Sequence, residues 1–191
     1  EDDRWQRDLG EGNFLLKPAG LFTSLTFPLY DERFDSAELR AALSRAVDRR
    51  NIVKEVWNNT VIPADAWAPP VVDGYEPGAC GDTCVYDAAA AKELLSRSGG
   101  FKGDLSIAYN EDGGHAAWVA AVCESITNTV GITCVPQPFP TQKEFLAAVT
   151  DKQMIGLFRT TWRMDYPNIQ NFLEPLYGAG GANEGGYSDP R

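Results

Sequence analysis

An acidic residue near the end of the chain has the chemistry needed to bind a positively charged ligand. Asp165 lies in the stretch WRMDYPNIQNFLEPLYG, residues 162–178, shortly after the apolar run MIGLF. A carboxylate just past a buried strand can accept charge-assisted hydrogen bonds from a cationic group. The sequence Asp-Tyr-Pro-Asn is also typical of a turn, in which the aspartate only satisfies backbone N–H groups. These residues alone leave both interpretations open.

The chain has four cysteines, which allow three disulfide pairings. Cys80 and Cys84 flank the short turn Gly-Asp-Thr, whereas Cys123 and Cys134 fall on a predicted helix and the next predicted strand. Locality therefore favours these two pairs, and such disulfides indicate an oxidising compartment outside the cytoplasm. A zinc site or four reduced cysteines are the competing interpretations. Zinc is disfavoured because ten residues separate the second pair and no histidine lies near a cysteine in sequence.

Other polar motifs do not form a recognisable catalytic pattern. His115, the single histidine, has no serine or cysteine nucleophile in a known context, so we interpret it as a helix-start residue. Glu111 and Asp112 are adjacent and fit a solvated loop better than acid–base catalysis. The glycine-rich YGAGGANEGG follows a predicted helix and lacks Gly-Lys-Ser/Thr, which indicates a flexible loop. We therefore predict a protein that is not an enzyme, with no metal site and no cofactor.

Composition indicates a folded domain and makes some partners poor candidates. The 191 residues are 43% hydrophobic and 11% aromatic, which is typical of a globular domain with a substantial core. The net charge of -10, without a Lys/Arg cluster longer than DRR, disfavours nucleic acid and anionic membranes as partners. Apolar stretches are far shorter than the ~18 residues of a membrane span. The two ends lack signals of a natural start or stop, so we expect a fragment of a longer protein whose export signal has been removed.

The first half of the chain predicts one strand and three helices. Residues 21–27 alternate like a strand, and FDSAELRAALSRAVDRRNIVKEVWNN predicts two successive helices. We expect Asp35, with Glu38 three residues later, to form a capping box, and Asp48 to cap the second helix. Residues 60–86 hold many prolines and glycines and predict a long surface loop, stapled by the disulfide proposed inside it. Asp87 then caps a third helix.

The second half alternates strand and helix. The segments DLSIAYN, ITCVPQPF and MIGLFRTTW predict strands, and HAAWVAAVCESITNTVG and QKEFLAAVTDK predict the helices between them. Such a βαβαβ array has parallel strands, and ligands of open α/β sheets bind beyond the C-terminal strand ends. Asp165 follows the third strand and the polar YNEDGG ends the first. The fold class is therefore α/β with a parallel core, although the strand order cannot be read from the sequence.

Four segments, in order, resemble one protein family. They are the helix pair FDSAELRAALSRAVDRRNIV, the proline-rich loop PPVVDGYEP, the helix YDAAAAKELLSRSGG and the stretch WRMDYPNIQNFLEPLYG. Each is similar to a segment of the solute-binding proteins of peptide and nickel ABC importers, the group of the dipeptide- and oligopeptide-binding proteins. The chain departs from the family pattern at Asn168 and Ile169, where Asp-Pro is frequent, and around Phe27 and Pro28, where an asparagine is usual.

The resemblance implies a periplasmic-binding-protein-like lobe, one half of a bilobed clamshell. Residues 1–191 would form the C-terminal lobe, without the N-terminal lobe and the last C-terminal segments. The implied function is extracytoplasmic capture of a small solute, with a peptide as the favoured ligand, and its delivery to ABC permease subunits. The protein would be a cell-surface lipoprotein or periplasmic, and bacterial. The alternative is a sensor or secreted enzyme domain that keeps the same fold.

The resemblance also assigns roles to two residues of the opening stretch. In peptide-binding members, the aspartate at the position of Asp165 pairs with the α-amino group of the ligand. Trp162 could then line the cleft and offer apolar or cation–π contact, or it could belong to the core. We therefore expect Asp165 and Trp162 to be ligand-binding residues.

Overall fold

We describe the fold from a computed structural model, which describes Asp8 and residues 17–188. In this part of the chain, four strands form one sheet and six α-helices surround it. The strands are β1 (Leu21–Thr26), β2 (Leu105–Asn110), β3 (Cys134–Phe139) and β4 (Leu157–Arg163). The helices are α1 (Ala37–Arg45), α2 (Arg49–Trp57), α3 (Ala88–Arg97), α4 (Ala116–Val130), α5 (Gln142–Thr150) and α6 (Gln170–Tyr177).

The sheet is mixed, with the strand order β1-β4-β2-β3. Strand β2 pairs in parallel with both β3 and β4, so the predicted parallel βαβαβ core is confirmed. Strand β1 pairs antiparallel with β4, and Phe22 lies opposite Trp162. The C-terminal ends of β2 and β4 therefore lie at the same edge of the sheet, where α/β proteins bind ligands.

Polar side chains cap the starts of the first three helices. The side chains of Asp48 and Asp87 accept hydrogen bonds from the first turns of α2 and α3, as predicted. The predicted capping box of Asp35 and Glu38 is wrong, because Ser36 caps α1 instead. Asp35 has αR backbone angles and ends a short 3-10 helix, Glu32–Phe34, whereas Ser36 is extended as an N-cap requires.

Both faces of the sheet are covered by helices. On one face, apolar residues of β2 and β4 form the main core with α1 and α4. On the other face, Ala108 and Phe158 pack against Phe145 and Val149 of α5. A third apolar cluster, Phe22, Ala68, Val72 and Phe172, lies between β1, the long loop and α6. The molecule is thus an α/β domain with a parallel core, as the sequence predicts.

The structure joins Cys80 to Cys84 and Cys123 to Cys134, the pairing that locality favours. The Cα atoms are 5.7 Å apart in the first pair and 4.8 Å apart in the second. The second disulfide ties α4 to β3. The first lies inside the long loop 60–86, next to α1.

Strand β3 is an edge strand that contains two prolines, Pro136 and Pro138. The N–H of Leu105 on β2 donates to the carbonyl of Thr133 at 2.9 Å. Because backbone groups alternate along a strand, the N atoms of residues 134, 136 and 138 face away from β2. The N–H of Cys134 donates instead to Oγ1 of Thr127 at 3.2 Å. The open side of β3 therefore presents no free N–H at these three positions.

Candidate ligand-binding site

Asp165 lies at the C-terminal edge of the sheet, two residues beyond the end of β4. Its side chain is exposed. The backbone just before it is anchored, because the N–H of Met164 donates to the carbonyl of Gly20 at 2.8 Å. No ion pair with a basic residue forms at Asp165 in the part of the chain that the structure describes. The carboxylate is therefore accessible at this edge, where the sequence places it.

A buried asparagine from α6 contacts both predicted ligand-binding residues. Asn171 is only 4% exposed. Its Oδ1 accepts hydrogen bonds from the backbone N–H of Asp165 at 2.8 Å and from Nε1 of Trp162 at 3.3 Å. Its Nδ2 donates to Oδ2 of Asp165 at 3.2 Å. The structure thus brings Asp165 and Trp162 together through one amide group.

Trp162 has a mixed environment. Its side chain is half-buried and packs against the third apolar cluster, which includes Phe22 and Phe172. Its indole N–H is already bonded to Asn171, so its remaining exposed surface is available for apolar or cation–π contact. Trp162 therefore belongs partly to the core, and its role in lining a cleft stays a prediction.

The long loop 60–86 holds the turn that follows Asp165. The N–H of Asp73 donates to the carbonyl of Pro167, and the N–H of Ile169 donates to the carbonyl of Asp73, both at 2.9 Å. Together these bonds form an isolated parallel bridge between Asp73 and Asn168. The loop that the prolines predict thus has a defined place beside the candidate site.

A second polar cluster lies at the end of β2, on the same edge of the sheet. Nε of Arg159 donates to Oδ1 of Asn110 at 2.6 Å, and Nδ2 of Asn110 donates to Oδ1 of Asp112 at 2.5 Å. The backbone N–H of Gln142, at the start of α5, donates to Oδ2 of Asp112 at 3.0 Å. The hydrogen bond from Asn110 and that from Gln142 hold the pKa of Asp112 below its usual value. This cluster joins β2, β4 and α5.

Arg159 is a buried cation, only 7% exposed. Its guanidinium carbon lies 4.7 Å from the ring centroid of Phe145, within cation–π range. Burial lowers the pKa of Arg159, and the charges of Asp112 and Glu184 oppose that shift. Burial raises the pKa of Glu184, and the charge of Arg159 opposes it. No acidic side chain lies within 4.0 Å of this guanidinium among the described residues, so its charge is only partly compensated.

His115 lies at the start of α4, as predicted from the sequence. Nε1 of Trp118 donates to its Nδ1 at 3.1 Å. Burial lowers the pKa of His115, and the nearby charge of Arg159 lowers it further, whereas Asp112 acts in the opposite direction. The histidine is thus a half-buried ring that packs on Trp118 at the helix start.

Sequence reasoning missed three residues of this edge: Asn110, Arg159 and Asn171. They are three of the four buried polar or charged residues in the described part of the chain, with Thr129 the fourth. Arg159 could have been noticed as a charge that directly follows the apolar run MIGLF. The two asparagines carry no such signal, because their partners depend on how the strand ends meet.

Among the residues that the structure describes, no helix is long and apolar enough to cross a membrane. Within the same residues, no group of three or more His, Cys, Asp or Glu side chains has a geometry that could hold a metal ion.

The fold is that of a class of known proteins. The structure matches the murein tripeptide binding protein MppA of Escherichia coli with a TM-score of 0.85 and 22% identity, over 98% of this chain and 38% of that one. It also matches OppA of Haemophilus influenzae, in a complex with the peptide RPPGFSPFR, with a TM-score of 0.81 and 18% identity over 98% and 38% of the two chains. These likenesses show the fold of a substrate-binding protein lobe.

Sequence comparison identifies the family. Residues 4–184 match the model of the bacterial extracellular solute-binding proteins, family 5, middle region. The chain is also 28% identical over 165 residues to the oligopeptide-binding protein OppA of Bacillus subtilis strain 168, covering 82% of this chain and 30% of that protein. This chain belongs to the family 5 extracellular solute-binding proteins. It spans well under half the length of the relatives that it matches.

Proposed function

We propose that residues 1–191 form the C-terminal lobe of a two-lobed binding protein that captures peptides and passes them to the permease of an ABC importer. Family membership and the peptide-binding proteins among the relatives support this function. The observation that carries it is Asp165, an exposed carboxylate at the ligand-binding edge of an α/β sheet, held by a neutral amide rather than by a cation.

In this proposal, Asp165 binds the α-amino group of the peptide. A charge-assisted hydrogen bond between a carboxylate and an ammonium group is weak in open water and stronger where water is excluded. Closure of the second lobe over this edge would exclude water from the pair, as hinge closure does in other binding proteins. Asp165 would then contribute to affinity chiefly in the closed protein.

Trp162 supplies a second contact at this edge. It would line the cleft with the exposed part of its indole and contact the first residues of the peptide. Arg159 is buried and bonded to Asn110, so it adds a positive charge near this edge rather than a direct contact with the peptide.

The setting outside the cytoplasm fits the two disulfides, which persist in oxidising compartments. We place the intact protein either in the periplasm or on the cell surface as a lipoprotein. Its partners in this proposal are the peptide, the N-terminal lobe and the permease subunits.

Binding to peptides with free and acetylated N-termini tests the role of Asp165. The experiment uses the intact two-lobed protein in wild-type, Asp165→Asn and Asp104→Asn forms, with a panel of short peptides and titration calorimetry. Asp104 is an exposed aspartate just before β2, so Asp104→Asn is a matched control for loss of charge.

We expect wild type and Asp104→Asn to bind the free amine about 30-fold or more tighter than the acetylated peptide, because truncating one partner of a desolvated charge pair costs about 2 kcal/mol or more. Asp165→Asn should reduce this preference nearly to one. Equal binding of both peptides by wild type, or no binding of any peptide, would overturn the proposal.

A further inference from the structure

We infer that Asn171 is a positioning residue, which fixes the carboxylate of Asp165 and the indole of Trp162 in the orientation that the ligand meets. The inference rests on the proposed function, because it concerns how that site is preorganised. It is carried by three hydrogen bonds from one buried amide to these two residues.

The amide of Asn171 is almost fully used in these contacts. An amide oxygen has two acceptor positions, and Oδ1 fills both of them, with the N–H of Asp165 and with Nε1 of Trp162. One of the two Nδ2 hydrogens is directed to Asp165 Oδ2. Asn171 is 4% exposed and its neighbour Phe172 is 0% exposed, so packing fixes the amide as well.

Asp165 itself is exposed, and packing does not fix its side chain. The bond from Asn171 engages Oδ2, while Oδ1 accepts no hydrogen bond from the described residues. One oxygen is thus held and the other is free for a donor from the ligand. Holding the group before the ligand arrives reduces the ordering cost of binding.

A neutral partner preserves the charge that the ligand needs. A lysine or arginine at the position of Asn171 would also hold the carboxylate, but it would neutralise Asp165 and compete with the ligand ammonium. An amide donates a hydrogen bond without adding charge. Because the same Oδ1 receives the indole N–H, Trp162 and Asp165 are oriented as one unit.

The test replaces Asn171 and measures selectivity rather than affinity alone. In the intact protein, Asn171→Leu removes all three hydrogen bonds and keeps the number and branching of side-chain heavy atoms, and Asn171→Ala serves if the leucine variant does not fold. Asn128→Leu, at an exposed asparagine of α4, is the matched control. The readout is the ratio of Kd for the acetylated peptide to Kd for the free peptide, in wild-type and Asp165→Asn backgrounds.

We expect Asn171→Leu to lower this ratio about tenfold, as loss of a hydrogen bond to a charged group implies. Asn128→Leu should leave the ratio unchanged. In the Asp165→Asn background, Asn171→Leu should have no further effect on the ratio, because Asn171 acts through Asp165. The indole N–H resonance of Trp162, assigned with Trp162→Phe, should also shift in Asn171→Leu.

The outcomes separate this inference from the proposed function. If wild type shows no preference for the free amine, the proposed function fails and the inference fails with it. If wild type shows the preference and Asp165→Asn removes it, while Asn171→Leu keeps it, only the inference is wrong. A Kd raised equally for both peptides by Asn171→Leu would assign Asn171 a purely structural role and would also overturn the inference.

Discussion

A buried asparagine holds a charged side chain near the end of β2 and another asparagine holds one beyond the end of β4, but the two charges differ in exposure. At the end of β2, Asn110 accepts a hydrogen bond from Arg159, and both residues are buried. Beyond the end of β4, Asn171 donates to Asp165, and only the asparagine is buried. The same neutral group thus holds a charge enclosed by the protein at one place and a charge open to solvent at the other.

The difference follows from the cost of burial. A buried guanidinium must keep hydrogen-bond acceptors, because an unsatisfied buried charge is strongly destabilising. An exposed carboxylate is hydrated and needs no protein partner for stability. We therefore expect substitutions at the β2 end to affect stability most, and substitutions at the β4 end to affect binding most.

The largest effect on stability is expected for Asn110→Leu. This substitution leaves the Nε of buried Arg159 without its acceptor and removes a donor to Asp112. The free energy of unfolding should fall by about 2–3 kcal/mol, measured by urea denaturation. Asn128→Leu, on the exposed face of α4, is the control. A loss no larger than that of the control would mean that the charge of Arg159 is satisfied in another way.

A smaller loss is expected for Asn171→Leu. The partners that it leaves, the N–H of Asp165 and the indole N–H of Trp162, lie near the surface where water can replace the amide. We expect the free energy of unfolding to fall by about 1–2 kcal/mol in the same urea titration. If Asn171→Leu and Asn110→Leu lowered the free energy of unfolding equally, the two strand ends would not differ in their contribution to stability.

Asp112→Asn should change stability in a pH-dependent way. Because the folded protein lowers the pKa of Asp112, its charge stabilises the fold at pH values above the ordinary aspartate pKa of about 4. This contribution is lost as the pH falls through the lowered pKa. Wild type should be more stable than the variant at pH 7, and the difference should shrink below pH ~4. A difference that is constant from pH 7 to pH 3 would contradict the assigned hydrogen bonds.

The smallest effect on stability is expected for Asp165→Asn. The side chain is exposed, and an amide can still accept the hydrogen bond from Asn171. The free energy of unfolding, measured by thermal denaturation, should therefore change by no more than about 0.5 kcal/mol, even though peptide selectivity is lost. A large loss of stability would instead assign Asp165 to the turn alone.

Local features of the sequence predict much of the fold, because helix caps and strand patterns depend on residues that are neighbours in the chain. The side chains of Asp48 and Asp87 cap helices as their positions suggest, and the alternation of apolar segments predicts the parallel core. At α1, Asp35 and Ser36 are both good capping residues, and only the backbone angles decide between them.

The candidate site was predictable only in part. The place of Asp165 beyond the end of β4 was predictable because it follows an apolar run, and its role in binding a ligand stays a prediction from the family segment that it matches. Asn110 and Arg159 are 49 positions apart, and their contact depends on the insertion of β4 between β1 and β2. Strand order is set by packing over the whole sheet rather than by any single segment. Asn171 looks like an ordinary polar residue of a helix until the end of β4 is placed beside it.

The prolines of β3 have a consequence for behaviour in concentrated solution. An exposed strand edge with free N–H groups can recruit a strand from another molecule and begin aggregation. On β3, the outward N–H is absent at Pro136 and Pro138 and is occupied at Cys134 by Thr127. A second molecule therefore finds no donors with which to extend the sheet on this side. The prolines of β3 thus protect this edge against pairing with a strand from another molecule.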